Sequence, residues 1–167
     1  VNHRLNTFGY LYLGDKFGDA YAKSGNLGNL DLIASLEWVR DNIEAFGGDP
    51  SNVTIMGESG GGSKVSHLLA TPAAEGLFHK AIIQSGPAVR SGTREKAVET
   101  ANAILAEAGI ETEADLRAIP AEELLTAARE ASKKAGGGAM GGGLQFGPFV
   151  DGVVLPSDPF MPAAPEQ

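Results

Sequence analysis

Apolar residues recur at helical spacing through one long stretch in the first half of the chain. Leu32, Leu36 and Ile43 lie on one face of this pattern, and the glycine pair at 47–48 follows it as a stop signal. The spacing predicts an amphipathic helix over residues 29–46. The pattern therefore places a long helix directly ahead of the segment that carries the candidate chemistry.

The segments on either side of this helix carry shorter patterns. Residues 1–13 alternate only approximately and contain a short strand candidate, and the glycine-rich residues 14–28 predict a loop. Farther along, the β-branched runs at 52–56 and 81–84 predict buried strands, and residues 60–70 between them predict a helix. Helix, strand, helix and strand in this order indicate an α/β fold with parallel strands.

The second half of the chain changes character from residue 94 onward. Alanine-rich stretches with interspersed charges, at residues 97–108, 113–119 and 121–131, predict helices that would cap or flank the sheet. A glycine-rich loop follows at 136–143, and residues 146–152 predict a short strand and turn. The carboxylates of these helices alternate with alanine and leucine, so we interpret them as a solvated face rather than a metal site.

Length and composition suit one globular domain. The chain has 167 residues, of which 43% are hydrophobic and 20% are charged. This is enough for one sizeable core, and it argues against wholesale disorder. We divide the chain into a core with the strands at residues 1–92, a helical flank with the glycine-rich loop at 93–145, and a strand, turn and tail at 146–167.

Charge and residue usage exclude several classes of function. The formal net charge of −8 argues against nucleic acid or an anionic membrane as a partner. The absence of cysteine excludes disulfides, thiolate metal sites and a cysteine nucleophile, and no apolar run is long enough to span a membrane. The chain begins with neither an initiator Met nor a signal peptide, so both ends resemble cuts and the localisation stays unknown.

The pattern that carries chemistry is G-x-S-x-G, which Gly57-Glu58-Ser59-Gly60-Gly61 fulfils. A predicted strand precedes it and a predicted helix follows it, as a nucleophile elbow requires. Glycines two residues before and after the serine are expected, because side chains there would collide with the strand or the helix. The turn would present the Ser59 hydroxyl at the carboxyl end of the sheet, where the backbone N–H of Gly60 could donate to an oxyanion.

The junction between the predicted strand and helix has two other interpretations. Gly57 and Gly62 have the spacing of a phosphate-binding P-loop, but Ser63-Lys64 reverse the order of lysine and hydroxyl that such a loop needs. The junction could also be an inert connection between a strand and a helix. The elements predicted on both sides favour the nucleophile over either alternative.

A series of motifs around this turn resembles the type-B carboxylesterases, the family of the bacterial para-nitrobenzyl esterases and the cholinesterases. The resemblance is strongest over residues 1–90 and has a weaker echo at residues 148–152. The matching motifs, in chain order, are Asn26-x-Gly28, Asp31, Trp38-Val39, Asn42-Ile43, Phe46-Gly47-Gly48-Asp49-Pro50, Val53-Thr54, Gly57-Glu58-Ser59, Gly76-Leu77-Phe78 and Ala81-Ile82-Ile83-Gln84-Ser85-Gly86. Motifs this long in one order are far more specific than five residues around a serine.

The resemblance implies an α/β-hydrolase fold that hydrolyses small-molecule carboxylic esters without a cofactor or a metal. Ser59 matches the family nucleophile, and Gly60 matches the residue whose N–H helps to form the oxyanion hole. Most relatives have alanine at position 60, so glycine is a departure that keeps the N–H and loosens the turn.

Further positions match supporting roles in the same family. Glu58 corresponds to the acidic neighbour of the nucleophile, and Ser85 to a serine that hydrogen-bonds the triad carboxylate. Arg4 and Asp31 resemble the partners of a structural salt bridge. We expect these residues to support the site rather than to react.

The rest of the family's machinery has no counterpart in these residues. In relatives the triad glutamate and histidine follow long after the serine, and a Gly-Gly segment with further oxyanion donors lies well before position 1. His3, His67 and His79 are expected to be surface or partly buried and not catalytic. We therefore expect the isolated chain to be inactive and the remainder of the polypeptide to complete the fold.

One alternative function stays open at this point. Some relatives of the cholinesterases are non-catalytic adhesion or scaffold proteins built on the same fold. Such proteins usually lose the nucleophilic serine, whereas Ser59 is present with glycines at both flanking motif positions. Fold alone does not decide between the two.

Overall fold

A short parallel sheet joined to a set of helices makes up the structure, a computed structural model that describes residues 1–136 and 143–164. The strands are β1 (Thr54–Glu58) and β2 (Lys80–Gln84). The helices are α1 (Asn6–Tyr10), α2 (Gly14–Phe17), α3 (Leu27–Asn42), α4 (Gly60–Leu69), α5 (Arg94–Glu107), α6 (Glu113–Ala118) and α7 (Ala121–Lys134). Short 3₁₀ turns lie at Asp19–Tyr21, Ser24–Asn26, Ile43–Phe46 and Pro72–Ala74.

The sheet has the predicted parallel arrangement. β1 pairs with β2 in a register that sets Met56 opposite Ile82 and Glu58 opposite Gln84. The connection between the strands runs through α4, which packs against both of them, and parallel strands need such a crossover. The prediction of an α/β fold with parallel neighbours is confirmed.

The expectation that both strands are buried is wrong for the described part of the chain. Met56 is 66% exposed and Ile82 is 45% exposed, and the register places them side by side on one face of the sheet. On the opposite face, Ile55 packs against the core formed by α3 and α4. Parallel sheets are normally covered on both faces, and the described residues cover only one.

The long helix predicted from the hydrophobic pattern is present as α3. Its buried residues Leu32, Ile33 and Leu36 form a core cluster with Leu68 of α4. A 3₁₀ turn continues it to residue 46, and Gly47 in a left-handed conformation (φ 81°) ends it. The predicted span of 29–46 is therefore confirmed in its main part.

The N-terminal prediction is wrong. Residues 6–10 form α1 instead of a strand, and the approximate alternation of this segment gave little support for a strand. A Cβ at Gly9 would lie 2.3 Å from the Arg4 carbonyl oxygen, so the turn closes more tightly than a side chain would permit. The predicted loop at 14–28 is also partly wrong, since α2, two 3₁₀ turns and the start of α3 lie there.

The three helices predicted in the second half are confirmed as α5, α6 and α7. Ile104 of α5 has no exposed surface, and Leu105 is 3% exposed; both belong to a core shared with Leu124 of α7. α6 begins with a capping box in which Thr112 and Asp115 bond each other's backbone N–H. The carboxylate-rich faces of these helices point to solvent, as the charge pattern predicts.

The C-terminal segment forms a turn but no strand. Phe149 makes a single parallel bridge with Gly92, and the side chain of Asp151 accepts hydrogen bonds from the N–H groups of residues 153–155. The Asn26 amide donates to the Phe149 carbonyl at 2.9 Å and to Asp151 at 2.8 Å. This buried asparagine fastens the segment to the first part of the chain. Most of the predicted glycine-rich loop, residues 137–142, lies outside the described residues.

Candidate active site

Ser59 occupies a strained turn between β1 and α4. Its backbone has φ 52° and ψ −117°, a conformation that non-glycine residues adopt at a cost of about 1–3 kcal/mol. The Ser59 N–H donates to the Gln84 carbonyl at 2.9 Å, and the Ser59 carbonyl accepts from the Ser63 N–H at 3.0 Å. The turn is therefore fastened both to the end of β2 and to the first turn of α4, and the serine side chain lies at the surface of the described chain.

The glycine before the serine is required by close packing. A Cβ at Gly57 would lie 2.2 Å from the Gly61 carbonyl carbon and 2.7 Å from the Gly62 backbone nitrogen. These are backbone atoms that cannot rotate away, so β1 and the start of α4 touch where only glycine fits. This agrees with the steric reason given for the motif.

Gly61, the motif glycine two residues after the serine, is not constrained by close packing as the motif predicts. Within the described residues nothing lies within 4 Å of a Cβ built at Gly61. A methyl group at Gly61 would therefore have room, whereas one at Gly57 would overlap backbone atoms. At Gly60 the nearest atom to a Cβ is Lys64 Nζ at 3.8 Å, so this position has room for an alanine.

The backbone N–H of Gly60 lies at the start of α4, and its expected role in an oxyanion hole stays a prediction. Gly60 is the first residue of α4, so its N–H has no acceptor within the helix. The positive end of the helix dipole adds to the attraction for negative charge. One such donor is worth roughly 3–4 kcal/mol of transition-state stabilisation when it points at the reacting oxygen.

Ser85 lies beside Ser59 at the same end of the sheet. Each follows directly after its strand, and the strand register pairs the residues before them, Glu58 and Gln84. Ser85 has φ 53°, and among the described residues the other positive φ values outside glycine belong to Ser59 and Asn6. Strain of this kind clusters at functional sites. The side chains of Glu58 and Ser85 are exposed, and their expected roles stay predictions.

Gly86 is a site residue to which the sequence assigned no role. A Cβ there would lie 2.0 Å from the Ser59 carbonyl oxygen and 2.7 Å from its Cα. The loop after β2 thus presses directly on the backbone of the nucleophile turn. The sequence signal for this position was the Ser85-Gly86 pair at the end of a predicted strand. Such a pair marks a turn but does not reveal what the turn contacts.

Within residues 1–136 and 143–164, the hydrogen bonds of His3, His67 and His79 go to groups other than Ser59. His67 on α4 is 2% exposed, deeper than expected, and its Nδ1 lies 2.6 Å from the Ser63 carbonyl, so Nδ1 donates. Burial lowers the pKa of the His67 imidazole. His79 accepts the Val53 N–H at 3.2 Å at the amino ends of the strands, and His3 contacts the adjacent Arg4 carbonyl.

Arg4 and Asp31 are brought together in a well-formed ion pair. Arg4 Nε donates to Asp31 Oδ2 at 2.8 Å and Nη2 donates to Oδ1 at 2.6 Å, while the Arg4 backbone N–H adds a bond of 2.9 Å. The hydrogen bonds from Arg4 hold the pKa of the Asp31 carboxyl below its usual value. The pair fastens the segment before α1 to α3.

Within residues 1–136 and 143–164, the His, Asp and Glu side chains form no cluster of three or more that could hold a metal ion. None of the helices in these ranges combines the length and the apolar character that a membrane span requires.

The chain is similar to known carboxylesterases over its whole length. The sequence profile described as the carboxylesterase family matches residues 1–167. A para-nitrobenzyl esterase of Bacillus subtilis is 48% identical over 161 residues, which are 95% of this chain and 32% of that protein.

Solved structures give the same result. The carboxylesterase EST55 of Geobacillus stearothermophilus superposes with a TM-score of 0.84 at 48% identity, covering 95% of this chain and 32% of that one. A thermophilic para-nitrobenzyl esterase gives a TM-score of 0.86 at 48% identity, with coverage of 95% and 32%. The fold is thus that of the α/β-hydrolase carboxylesterases, and the chain spans about a third of the length of the relatives it matches.

Proposed function

The chain belongs to the carboxylesterase family, and on that basis we propose that the protein hydrolyses carboxylic esters with Ser59 as its nucleophile. The observation that carries the proposal is the geometry of Ser59. Its positive φ of 52°, between a parallel strand and a helix, fits the strained turn that exposes a nucleophilic hydroxyl.

The proposed reaction is acyl transfer in two steps. Ser59 Oγ attacks the ester carbonyl while its proton passes to a general base, and the Gly60 N–H stabilises the oxyanion of the tetrahedral intermediate. Collapse of the intermediate breaks the bond to the alcohol, which leaves with a proton and gives an acyl-serine. Water then attacks the acyl carbon, the acid is released, and the hydroxyl of Ser59 regains its proton.

The proposed general base comes from residues other than those described. No hydrogen bond links Ser59 Oγ to a histidine in residues 1–136 or 143–164. We infer that the remainder of the polypeptide supplies the triad histidine and glutamate and further oxyanion donors. The exposed Met56 and Ile82 on one face of the sheet support this inference, because added elements would cover them.

The test of the nucleophile is Ser59→Ala in the full-length protein. Hydrolysis of a p-nitrophenyl ester should fall by roughly 10⁴-fold or more, because the acyl-enzyme can no longer form. A fluorophosphonate probe, located by mass spectrometry, should label Ser59 in the unaltered protein. The matched control is Ser132→Ala on α7, which should leave turnover unchanged.

Retained turnover in the Ser59→Ala protein would remove the assignment. An unaltered protein that neither hydrolyses the ester nor reacts with the probe would favour the adhesion or scaffold alternative. Ser59 keeps both its identity and its strained conformation, which does not favour that alternative.

The isolated chain of 167 residues should show no hydrolysis above background in the same assay. Without a base, the Ser59 hydroxyl keeps its ordinary low nucleophilicity. The exposed apolar face of the sheet should also make the isolated chain poorly soluble, which size-exclusion chromatography would reveal. A monodisperse and active chain would refute both expectations.

A further inference from the structure

Residues 84–88, which comprise the last residue of β2 and the loop after it and are together called the loop, contact the nucleophile turn at Gln84 and Gly86. Its first residue, Gln84, accepts the Ser59 N–H at 2.9 Å. Gly86 lies so close that a Cβ would be 2.0 Å from the Ser59 carbonyl oxygen. Ser85 stands between these contacts, so its position relative to Ser59 depends on how firmly the loop is held.

The far end of the loop is held by Ser66 of α4. Ser66 has no exposed surface, and its hydroxyl accepts the Ala88 N–H at 3.1 Å. The same hydroxyl donates to the Gly62 carbonyl at 3.1 Å. Both hydrogen-bonding roles of the hydroxyl are therefore used, and they join the first turn of α4 to the end of the loop.

Gly62 lets the helix and the loop approach closely enough for this bond. A Cβ at Gly62 would lie 3.1 Å from the Gln84 carbonyl oxygen and 3.3 Å from that of Gly86. α4 therefore packs closely against residues 84–86, and the hydrogen bond from the Ala88 N–H to the Ser66 hydroxyl extends this contact to residue 88. The Ser66 hydroxyl gives the partly buried Ala88 N–H its hydrogen-bond partner, and leaving such a donor without a partner costs free energy.

We propose that Ser66 is a positioning residue for the esterase reaction, which holds the loop of residues 84–88 so that Ser85 stays in register with Ser59. The proposal rests on the proposed function, because it assumes that Ser85 acts on the triad carboxylate. The bond from Ser66 to Gly62 alone is a common local bond of serine within a helix. The bond from Ala88 is the part that connects Ser66 to the site.

Ser66→Ala in the full-length protein tests the proposal. Loss of one buried hydrogen bond should lower kcat by about fivefold and leave KM within about twofold, because the site is displaced while substrate contacts stay. Hydrogen exchange at the Ala88 amide should accelerate. The matched control is Thr71→Val, since Thr71 is equally buried and its hydroxyl bonds the His67 carbonyl at 2.7 Å; it should leave kcat unchanged.

A double-mutant cycle with Ser85→Ala separates positioning from general destabilisation. If Ser66 acts through Ser85, Ser66→Ala should lower kcat by less than about twofold once Ser85 is already alanine. The proposal would be overturned if the effects of Ser66→Ala and Ser85→Ala on kcat multiply in the double variant. It would also be overturned by a Ser85→Ala protein with unchanged kcat, or by an equal loss of kcat in Thr71→Val.

Failure of this proposal can be told apart from failure of the proposed function. An inactive, unlabelled full-length protein would refute the esterase assignment, and the catalytic role of Ser66 with it. An active protein in which Ser66→Ala leaves kcat unaltered would refute the role of Ser66 alone. Unchanged exchange at Ala88 in Ser66→Ala would refute the bond itself, whatever the activity.

Discussion

The nucleophile turn and the helical flank are held by different kinds of contact. Around Ser59 the contacts join backbone to backbone, and Gly57 and Gly86 lie where a methyl group would overlap main-chain atoms. In the flank of α5 to α7, side chains such as Ile104 and Leu105 pack into a buried core. Position is therefore fixed by close backbone approach in the first region and by side-chain volume in the second.

Because of this difference, substitutions in the two regions should have different effects. Main-chain atoms cannot turn away from an added methyl group, so the turn must move and carry the Ser59 hydroxyl with it. A side-chain core can relax around a change of volume, so the cost falls on stability and not on geometry elsewhere. Substitutions at the turn should alter catalysis, and substitutions in the flank should alter stability.

The largest expected effect on catalysis outside Ser59 itself comes from Gly57→Ala. The added Cβ would lie 2.2 Å from the Gly61 carbonyl carbon, so the strand and helix must separate. A displacement on the order of 1 Å can lower turnover by about 100-fold. Turnover of a p-nitrophenyl ester by the full-length protein, divided by the folded fraction from circular dichroism, measures this loss.

Gly61→Ala is the matched control for that substitution. Both glycines belong to the G-x-S-x-G motif, but Gly61 faces open space within the described residues, and alanine favours a helix more than glycine does. Its kcat should stay within about threefold of the unaltered protein. Equal losses in the two variants would contradict the idea that only Gly57 is constrained by backbone contact.

Much of the fold could be predicted from the sequence because its signals are local. The apolar spacing of α3, the alanine-rich flank helices and the β-branched runs at β1 and β2 each appear within one segment. The parallel pairing followed from the order of the elements. The errors lie where local signal was weak, as in α1, or where burial depends on neighbouring elements, as at Met56 and Ile82.

Ser59 and the close packing at Gly57 could also be predicted, whereas the contacts of Gly86 and Ser66 could not. The serine lies in a motif whose spacing is visible in five residues. Gly86 contacts the backbone of Ser59, and the Ser66 hydroxyl bonds the N–H of Ala88. Each of these contacts joins residues that are distant in the sequence. Their role depends on how closely α4 lies on the loop after β2, and no pattern in a single segment encodes that distance.

Ile104→Ala in the flank should have a smaller effect on catalysis than Gly57→Ala and a large effect on stability. Ile104 has no exposed surface, and removing its side chain should lower the free energy of unfolding by about 2–5 kcal/mol. Urea denaturation of the full-length protein measures this change, and kcat per folded molecule should stay within about twofold. Ile104→Val, which keeps most of the volume, should cost only about 0.5–1.5 kcal/mol. A marked fall of kcat in the folded Ile104→Ala protein would show that the flank shapes the site, and would break the separation between the two regions.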